Sequence, residues 1–175
     1  RGGVSAATLP PKAVRLPPAG GDGGGTADAA GGGSGGGAGQ AAMLAQLDAL
    51  LEEMHDNGTV KVAAARACDV AKGMSDSKPV MRLIMRRLDS LAREQTASRD
   101  AATTERVVSK RRYLLFLVNS VLQRSSREGS GVLSGWGTVV SAGVGRLIAG
   151  CCSNESQLRT VRRIVQIWSD NHFLG

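Results

Sequence analysis

Residues 113–126, YLLFLVNSVLQRSS, form a dense apolar run that Asn119 and Ser120 interrupt. At 100° per residue, one side of a helix through this stretch collects only aliphatic residues, which would face a core. They are Leu114, Leu117, Val118, Val121 and Leu122, with Leu115 at the margin. The two polar residues fall on the opposite arc. The periodicity therefore predicts a helix over about residues 104–124 with one buried face and one mixed face.

The mixed face combines residue types that differ from an ordinary Lys/Glu-rich solvated surface. Its members are Arg112, Tyr113, Phe116, Asn119, Ser120, Gln123, Arg124 and Arg127. Amides and hydroxyls beside aromatic rings suit an extended peptide, whose backbone needs donors and acceptors and whose side chains need shallow pockets. A second interpretation is a partly buried helix in which a neighbouring backbone group satisfies Asn119. The pattern alone favours the second interpretation, because buried polar groups normally find local partners.

The remainder of the chain after Gln40 also has helical apolar spacing, and no segment alternates like a β-strand. We expect helices over about residues 41–55, 59–73 and 77–91, with Thr59 as the N-cap and Gly73 as the end of the second. The small-residue face of that second helix comprises Val62, Ala63, Ala67, Val70 and Ala71. The polar segment 92–105 is expected to be a loop, and the segment 132–150 is helical in spacing but contains five glycines.

The last helix, about residues 155–169, separates apolar from basic residues. One side carries Leu158, Val161, Ile164, Val165 and Trp168, and the other carries Arg159, Arg162, Arg163 and Gln166. Because the guanidinium fork matches phosphate oxygens bidentately, the arginine stripe is a candidate phosphate-binding face. A solvated helix exterior explains the same spacing equally well. Trp168 is expected in the core.

The first 40 residues differ in composition from the rest. They hold 14 of the 24 glycines and four of the five prolines. Such a segment has little to bury against the entropy of ordering it, so we expect a disordered Gly/Pro/Ala-rich linker over residues 1–40 and a helical domain over 41–175. Because the chain opens on Arg1, we expect it to be a piece of a longer polypeptide.

Charge and reactive residues narrow the classes of function. The net charge of +7 and pI near 10 favour a polyanionic partner such as nucleic acid, a phosphorylated peptide or an acidic membrane. Three cysteines, two of them adjacent, predict a reduced cytosolic or nuclear setting, with Cys151 and Cys152 as packing residues. With two histidines and no catalytic, zinc or nucleotide-binding motif, we expect no enzyme, no cofactor, no metal and no small-molecule substrate.

Two segments resemble motifs of one family. FLVNSVLQRSS, residues 116–126, resembles the YLANDVLQNS helix of the RNA polymerase II CTD-interacting domain, or CID, and TVRRIVQIWSDNHFLG, residues 160–175, resembles that family's closing KVxRLLxIWEERxVFG segment. The resemblance covers roughly residues 41–175. It implies an all-α fold, a right-handed superhelix of about eight helices shared with VHS and ENTH domains. The spacing of residues 60–74 and 80–91 is similar to that of CIDs in splicing factors that also carry a SURP motif.

The resemblance also implies a binding site. In the family, a groove receives the heptad-repeat tail of the polymerase as an extended segment plus a β-turn, and Asn119 matches the residue that hydrogen-bonds the turn. Arg163 matches the arginine that reads phosphoserine. The implied peptide-binding residues are Phe116, Asn119, Ser120, Gln123 and Arg127, and the implied phosphate-binding residues are Arg162 and Arg163. Phe116 replaces a common Tyr and Thr160 replaces the usual Lys, which removes one hydroxyl and one cation.

The expected function is therefore a nuclear module that binds the phosphorylated polymerase tail and couples transcription to pre-mRNA processing, in particular splicing. One alternative is direct RNA binding through the basic stripes, which an aromatic content of 3% disfavours because few bases could stack. A second is a membrane-trafficking adaptor of the VHS/ENTH type. The two motifs favour the nuclear family and no membrane partner.

Overall fold

The computed structural model describes residues 35–129 and 131–174, and all its regular elements are helices. They are α1 (Gly35–Glu53), α2 (Asn57–Met74), α3 (Lys78–Ala97), α4 (Ala101–Glu128), α5 (Gly131–Ser134), α6 (Trp136–Ser141), α7 (Val144–Ile148) and α8 (Glu155–Asp170). The all-α prediction is confirmed. Of the predicted linker, residues 1–34 lie outside the described residues. No helix in the described ranges is both long and apolar enough to cross a bilayer.

Helix α1 begins at Gly35, six residues before the predicted start. Its first turns contain Ala38, Ala41 and Ala42, and alanine has the highest intrinsic helix propensity. These alanines offset the cost of the glycines among them. The helix therefore extends into the segment that composition alone assigned to the linker.

The beginning of α2 corrects the predicted N-cap. Asp56 is the N-cap, and its Oδ1 accepts a hydrogen bond from the Thr59 amide at 2.8 Å. Thr59 completes a reciprocal capping box, because its Oγ1 accepts from the Asp56 amide at 3.1 Å. Gly73 does not end the helix: it lies inside α2 against the Met43 side chain, and Ser75 adopts the left-handed conformation at the true end.

The predicted face of α2 is correct except at one position. Ala63, Ala67, Val70 and Ala71 are buried, but Val62 is 58% exposed. Both Val62 and Ala63 fit a helical apolar stripe, and only the packing of α2 against its neighbours decides which of them turns inward.

The predicted loop 92–105 is wrong. Helix α3 continues to Ala97 and α4 starts at Ala101, which leaves a connection of residues 98–100. Asp100 caps α4 by accepting a hydrogen bond from the Thr103 amide at 2.8 Å. Glu94 and Arg106 form an ion pair between the two helices. The polar residues of this segment therefore form the solvated ends of two helices.

Helix α4 is the centre of the packing and contacts α2, α3 and the three short helices α5–α7. The six aliphatic residues of its predicted buried face are each at most 2% exposed. Trp136 and Trp168 are fully buried, which confirms the prediction for Trp168. The glycine-rich segment forms the three short helices rather than one long one.

Cys151 and Cys152 were predicted as packing residues, and the structure buries the first of them fully. Cys151 is fully buried, and its Sγ–H donates to the Leu147 carbonyl at 2.8 Å. Burial raises the pKa of the Cys68 and Cys151 thiols to about 11. Cys152 is half-buried. Within the described residues, no group of His, Cys, Asp and Glu could hold a metal ion.

Candidate peptide-binding groove

Two adjoining cavities form a groove along α4, which we call the α2–α4 groove. The first, of about 340 Å³, is lined by Asn57, Val60, Lys61, Phe116, Asn119, Ser120, Thr160 and Ile164. The second, of about 510 Å³, is lined by Lys61, Ala64, Ser120, Gln123, Arg124, Arg127 and Glu128. Lys61 and Ser120 belong to both cavities. The groove therefore has α2 on one side, α4 along its length and α8 at one end.

The five predicted peptide-binding residues all line this groove. Phe116, Asn119, Ser120, Gln123 and Arg127 follow one another along α4. Asn119 and Ser120 are adjacent, and the other steps along the set are three or four residues, so all five lie on one side of the helix. At 1.5 Å per residue the strip is roughly 16 Å long, enough for about five residues of an extended peptide.

Asn119 is held in one orientation by a residue of α8. The Trp168 indole Nε1–H donates to Asn119 Oδ1 at 3.0 Å, and Gln123 Nε2 lies 3.5 Å from the same oxygen. An indole nitrogen can only donate, so the atom that faces it must be the amide oxygen. The partner of Asn119 is thus a side chain and not the neighbouring backbone.

The donor end of the same amide is available to a ligand. Asn119 is half-buried, and within the described residues its Nδ2 donates to no other group. Since Trp168 fixes the oxygen, the Nδ2 hydrogens point away from it. The groove therefore presents a preoriented hydrogen-bond donor that matches a peptide carbonyl.

Apolar side chains surround this donor. Phe116 is half-buried and packs edge-to-face against Tyr113, with ring centroids 6.4 Å apart at 71°. Val60 and Ile164, both buried, line the same cavity. A shallow apolar surface beside a polar donor is the arrangement that an extended peptide requires.

The predicted phosphate-binding residues lie outside the two cavities. Arg162 and Arg163 are both exposed on α8, and Arg162 lies 4.0 Å from the Glu155 carboxylate. Arg163 forms no ion pair with any described residue. It follows Thr160 by three positions and directly precedes Ile164, and both of those residues line the groove. The backbone of Arg163 therefore lies at the edge of the groove, and its long side chain is exposed to solvent.

Sequence reasoning missed Lys61, which is exposed and lines both cavities. Together with Arg124 and Arg127 it places three cations along the groove. The one carboxylate there, Glu128, is paired with Lys72, and this hydrogen bond raises the pKa of the Lys72 amine. The groove is therefore positively charged and suits an anionic ligand. The role of Lys61 as a lining residue depends on the packing of α2 beside α4. The apolar pattern of α2 alone does not distinguish it from other exposed residues.

Comparison with known proteins gives one result that covers most of the chain. A family model described as CID domain matches residues 45–175. Neither the curated proteins nor the solved structures give a significant match. The matched residues include α2, α4 and α8, the three helices that line the groove.

Proposed function

This chain belongs to the CID domain family, and we propose that its α2–α4 groove binds the phosphorylated heptad repeats of the RNA polymerase II tail. CID domains are known as modules that interact with this tail, and the family is one of protein interaction rather than catalysis.

The observation that carries the proposal is the oriented amide of Asn119. Its oxygen accepts from Trp168, and its Nδ2 donates to no described group and belongs to a residue that lines the groove. A bound β-turn offers backbone carbonyls as acceptors for this amide. The adjacent Phe116 provides an apolar surface for the side chains of the bound peptide. The strip is long enough for one extended segment and its turn.

Phosphate recognition is assigned to Arg163 at the rim. It is exposed and makes no ion pair with a described residue, whereas its neighbour Arg162 is directed toward Glu155. A guanidinium that is free of a carboxylate partner can bind two phosphate oxygens at once. Lys61 lines the same cavity as Thr160 and supplies a cation there, which compensates for the Lys that the family usually has at the position of Thr160.

Peptide is favoured over RNA as the ligand of this groove. Phe116 is the single aromatic residue among those that line the two cavities, so successive bases would have little to stack on.

We further propose that the domain acts in the nucleus and couples transcription to splicing. That step is supported by the similar spacing of its α2 and α3 segments to the CIDs of SURP-motif splicing factors.

Fluorescence anisotropy with a two-heptad peptide, serine-phosphorylated or plain, tests the role of Arg163. We expect Arg163→Ala to weaken binding of the phosphorylated peptide by about 10-fold to 100-fold, because charge-assisted hydrogen bonds to phosphate are lost, and to leave the plain peptide nearly unaffected.

The matched control is Arg93→Ala, which removes an exposed arginine of α3 that lines neither cavity of the groove and should leave the preference unchanged. If Arg163→Ala keeps the preference for the phosphorylated peptide, the phosphate-binding role of Arg163 is wrong. If single-stranded RNA binds as tightly as the peptide, and if its affinity is the same for the wild type and Asn119→Asp, the function is RNA binding instead.

A further inference from the structure

Another cavity lies away from the α2–α4 groove, between α1, α3 and the turn that joins α6 to α7. We call it the methionine cavity; its volume is about 710 Å³. Its lining residues are Leu44, Lys78, Pro79, Met81, Arg82, Met85, Arg86, Asp89, Val139, Ala142, Gly143 and Arg146. None of them lines the groove. The volume lies within the range of ligand-binding sites.

The floor of the methionine cavity is apolar and adaptable. Met81 and Met85 lie one turn apart on α3, and Leu44 and Val139 flank them. Met85 packs directly on the backbone of Gly143, where a Cβ would collide with its terminal methyl group. Unbranched, polarisable methionine side chains can reshape around different apolar groups.

The rim of the cavity is basic. Lys78, Arg82 and Arg86 are exposed and follow one another at intervals of four residues along α3, so they span roughly 12 Å. Within the described residues none of the three forms an ion pair. By contrast, the fourth cation of the rim, Arg146, is paired with Asp89. The three α3 cations therefore form a row of uncompensated positive charge beside an apolar floor.

We propose that the methionine cavity binds an acidic amphipathic helix of a partner protein. Its apolar side chains would insert onto the methionine floor, and its carboxylates would pair with Lys78, Arg82 and Arg86. Carboxylates at i, i+4 and i+8 on a helix that lies along α3 repeat at the same interval as these cations. Nucleic acid fits less well, because no aromatic side chain lines the cavity to stack a base.

The probe for this site is an 18-residue fluorescein-labelled peptide of glutamate, alanine and leucine. Its glutamates stand at intervals of four residues, and its leucines form the adjacent face. With methyl-¹³C methionine in the full chain, the methyl resonances of Met81 and Met85 should shift on titration. Met54 is buried outside the cavity and provides an internal reference.

Charge reversal tests the basic rim. Arg82→Glu with Arg86→Glu should weaken probe binding by at least about tenfold, since two attractions become repulsions. Arg93→Glu with Arg99→Glu makes the same two reversals at exposed positions outside the cavity and should alter affinity by less than about twofold.

A filling variant tests the cavity itself without a change of charge. Ala142→Leu places a larger side chain in the wall of the cavity and should abolish the methionine shifts. Ala149→Leu, at an exposed position that does not line the cavity, is its control. Both variants leave the rim cations unchanged.

The proposal is overturned if the probe leaves Met81 and Met85 unshifted. It is also overturned if a peptide of the same composition with scrambled leucines binds equally well, or if oligouridylate shifts these methyl groups while the probe does not. Arg163→Ala should not affect probe binding, and the Arg82/Arg86 double variant should still bind the heptad peptide. The two sites can therefore fail or succeed independently.

Discussion

The side chain of Asn119 is oriented by a donor that lies 49 residues away in sequence, the indole of Trp168. Asn119→Asp keeps an oxygen to accept from Trp168 and replaces the Nδ2 donor by a second acceptor. We expect the fold to persist and binding of the plain heptad peptide to weaken by about 0.5–1.5 kcal/mol, the range for one neutral hydrogen bond. Isothermal titration calorimetry measures the difference.

Asn57→Asp is the matched control for Asn119→Asp. It makes the same amide-to-carboxylate change at an exposed position that lines the same cavity, so it adds the same charge without removing the Asn119 donor. Equal losses for both variants would show that charge, rather than the oriented donor, governs binding, and would contradict the role assigned to Asn119.

The sequence predicted which side chains of α4 lie on the groove face. It did not predict which residues of α2 and α8 lie next to them. The polar interruption placed Asn119, Ser120 and Gln123 on one strip, because helical periodicity fixes which residues share a face. It could not identify Trp168 as the partner of Asn119 or Lys61 as a lining cation. Both contacts depend on how α2 and α8 pack against α4, which no single-helix pattern contains.

At the scale of one helix, α6 shows a glycine that packing requires. A Cβ on Gly137 would collide with the backbone carbonyl of Phe173, which lies in the turn after α8. We expect Gly137→Ala to destabilise the domain by about 1–3 kcal/mol, because backbone on both sides must move. Urea denaturation measures this change.

Gly145→Ala is the control, on α7, where a Cβ would meet no atom within 4 Å. It should be neutral or stabilising by up to about 1 kcal/mol, since alanine favours a helix over glycine. Equal destabilisation by both variants would contradict the docking of the C-terminal turn on α6.

The capping box of α2 has a pH dependence of defined sign. Hydrogen bonds from Thr59 lower the pKa of the Asp56 carboxyl below its ordinary value of 3.8. The stability that the charged cap contributes is therefore fully present above about pH 4 and is lost as the pH falls through the lowered pKa. The difference in urea midpoint between the wild type and Asp56→Ala should shrink over that range, and a constant difference would contradict the cap.

The centres of the helices were predictable from sequence, and their ends were not. The apolar stripe of α4 was correct at each position named for the core, because burial imposes the helical period. That of α8 was correct at Val161, Ile164 and Trp168, whereas Leu158 and Val165 are only partly buried. The predicted loop 92–105 was wrong because composition does not distinguish a polar loop from two polar helix ends. The Glu94–Arg106 pair and the Asp100 cap favour the helices, and both are tertiary or terminal features.

At the scale of the whole molecule, an all-α domain of the CID family separates two surfaces. The α2–α4 groove lies on helices α2, α4 and α8, and the methionine cavity lies on α1, α3, α6 and α7. Each combines apolar residues with cations that have no carboxylate partner among the described residues, in keeping with the net charge of +7. The two surfaces share no lining residue.

The most direct test of the central claim is an NMR titration of the ¹⁵N-labelled chain with the serine-phosphorylated two-heptad peptide. We predict that the Asn119 side-chain amide and the Arg163 Nε–H shift together and saturate at the same peptide concentration, while the backbone amide of Gly145 does not move. Saturable binding that leaves both side-chain resonances in place would contradict the account.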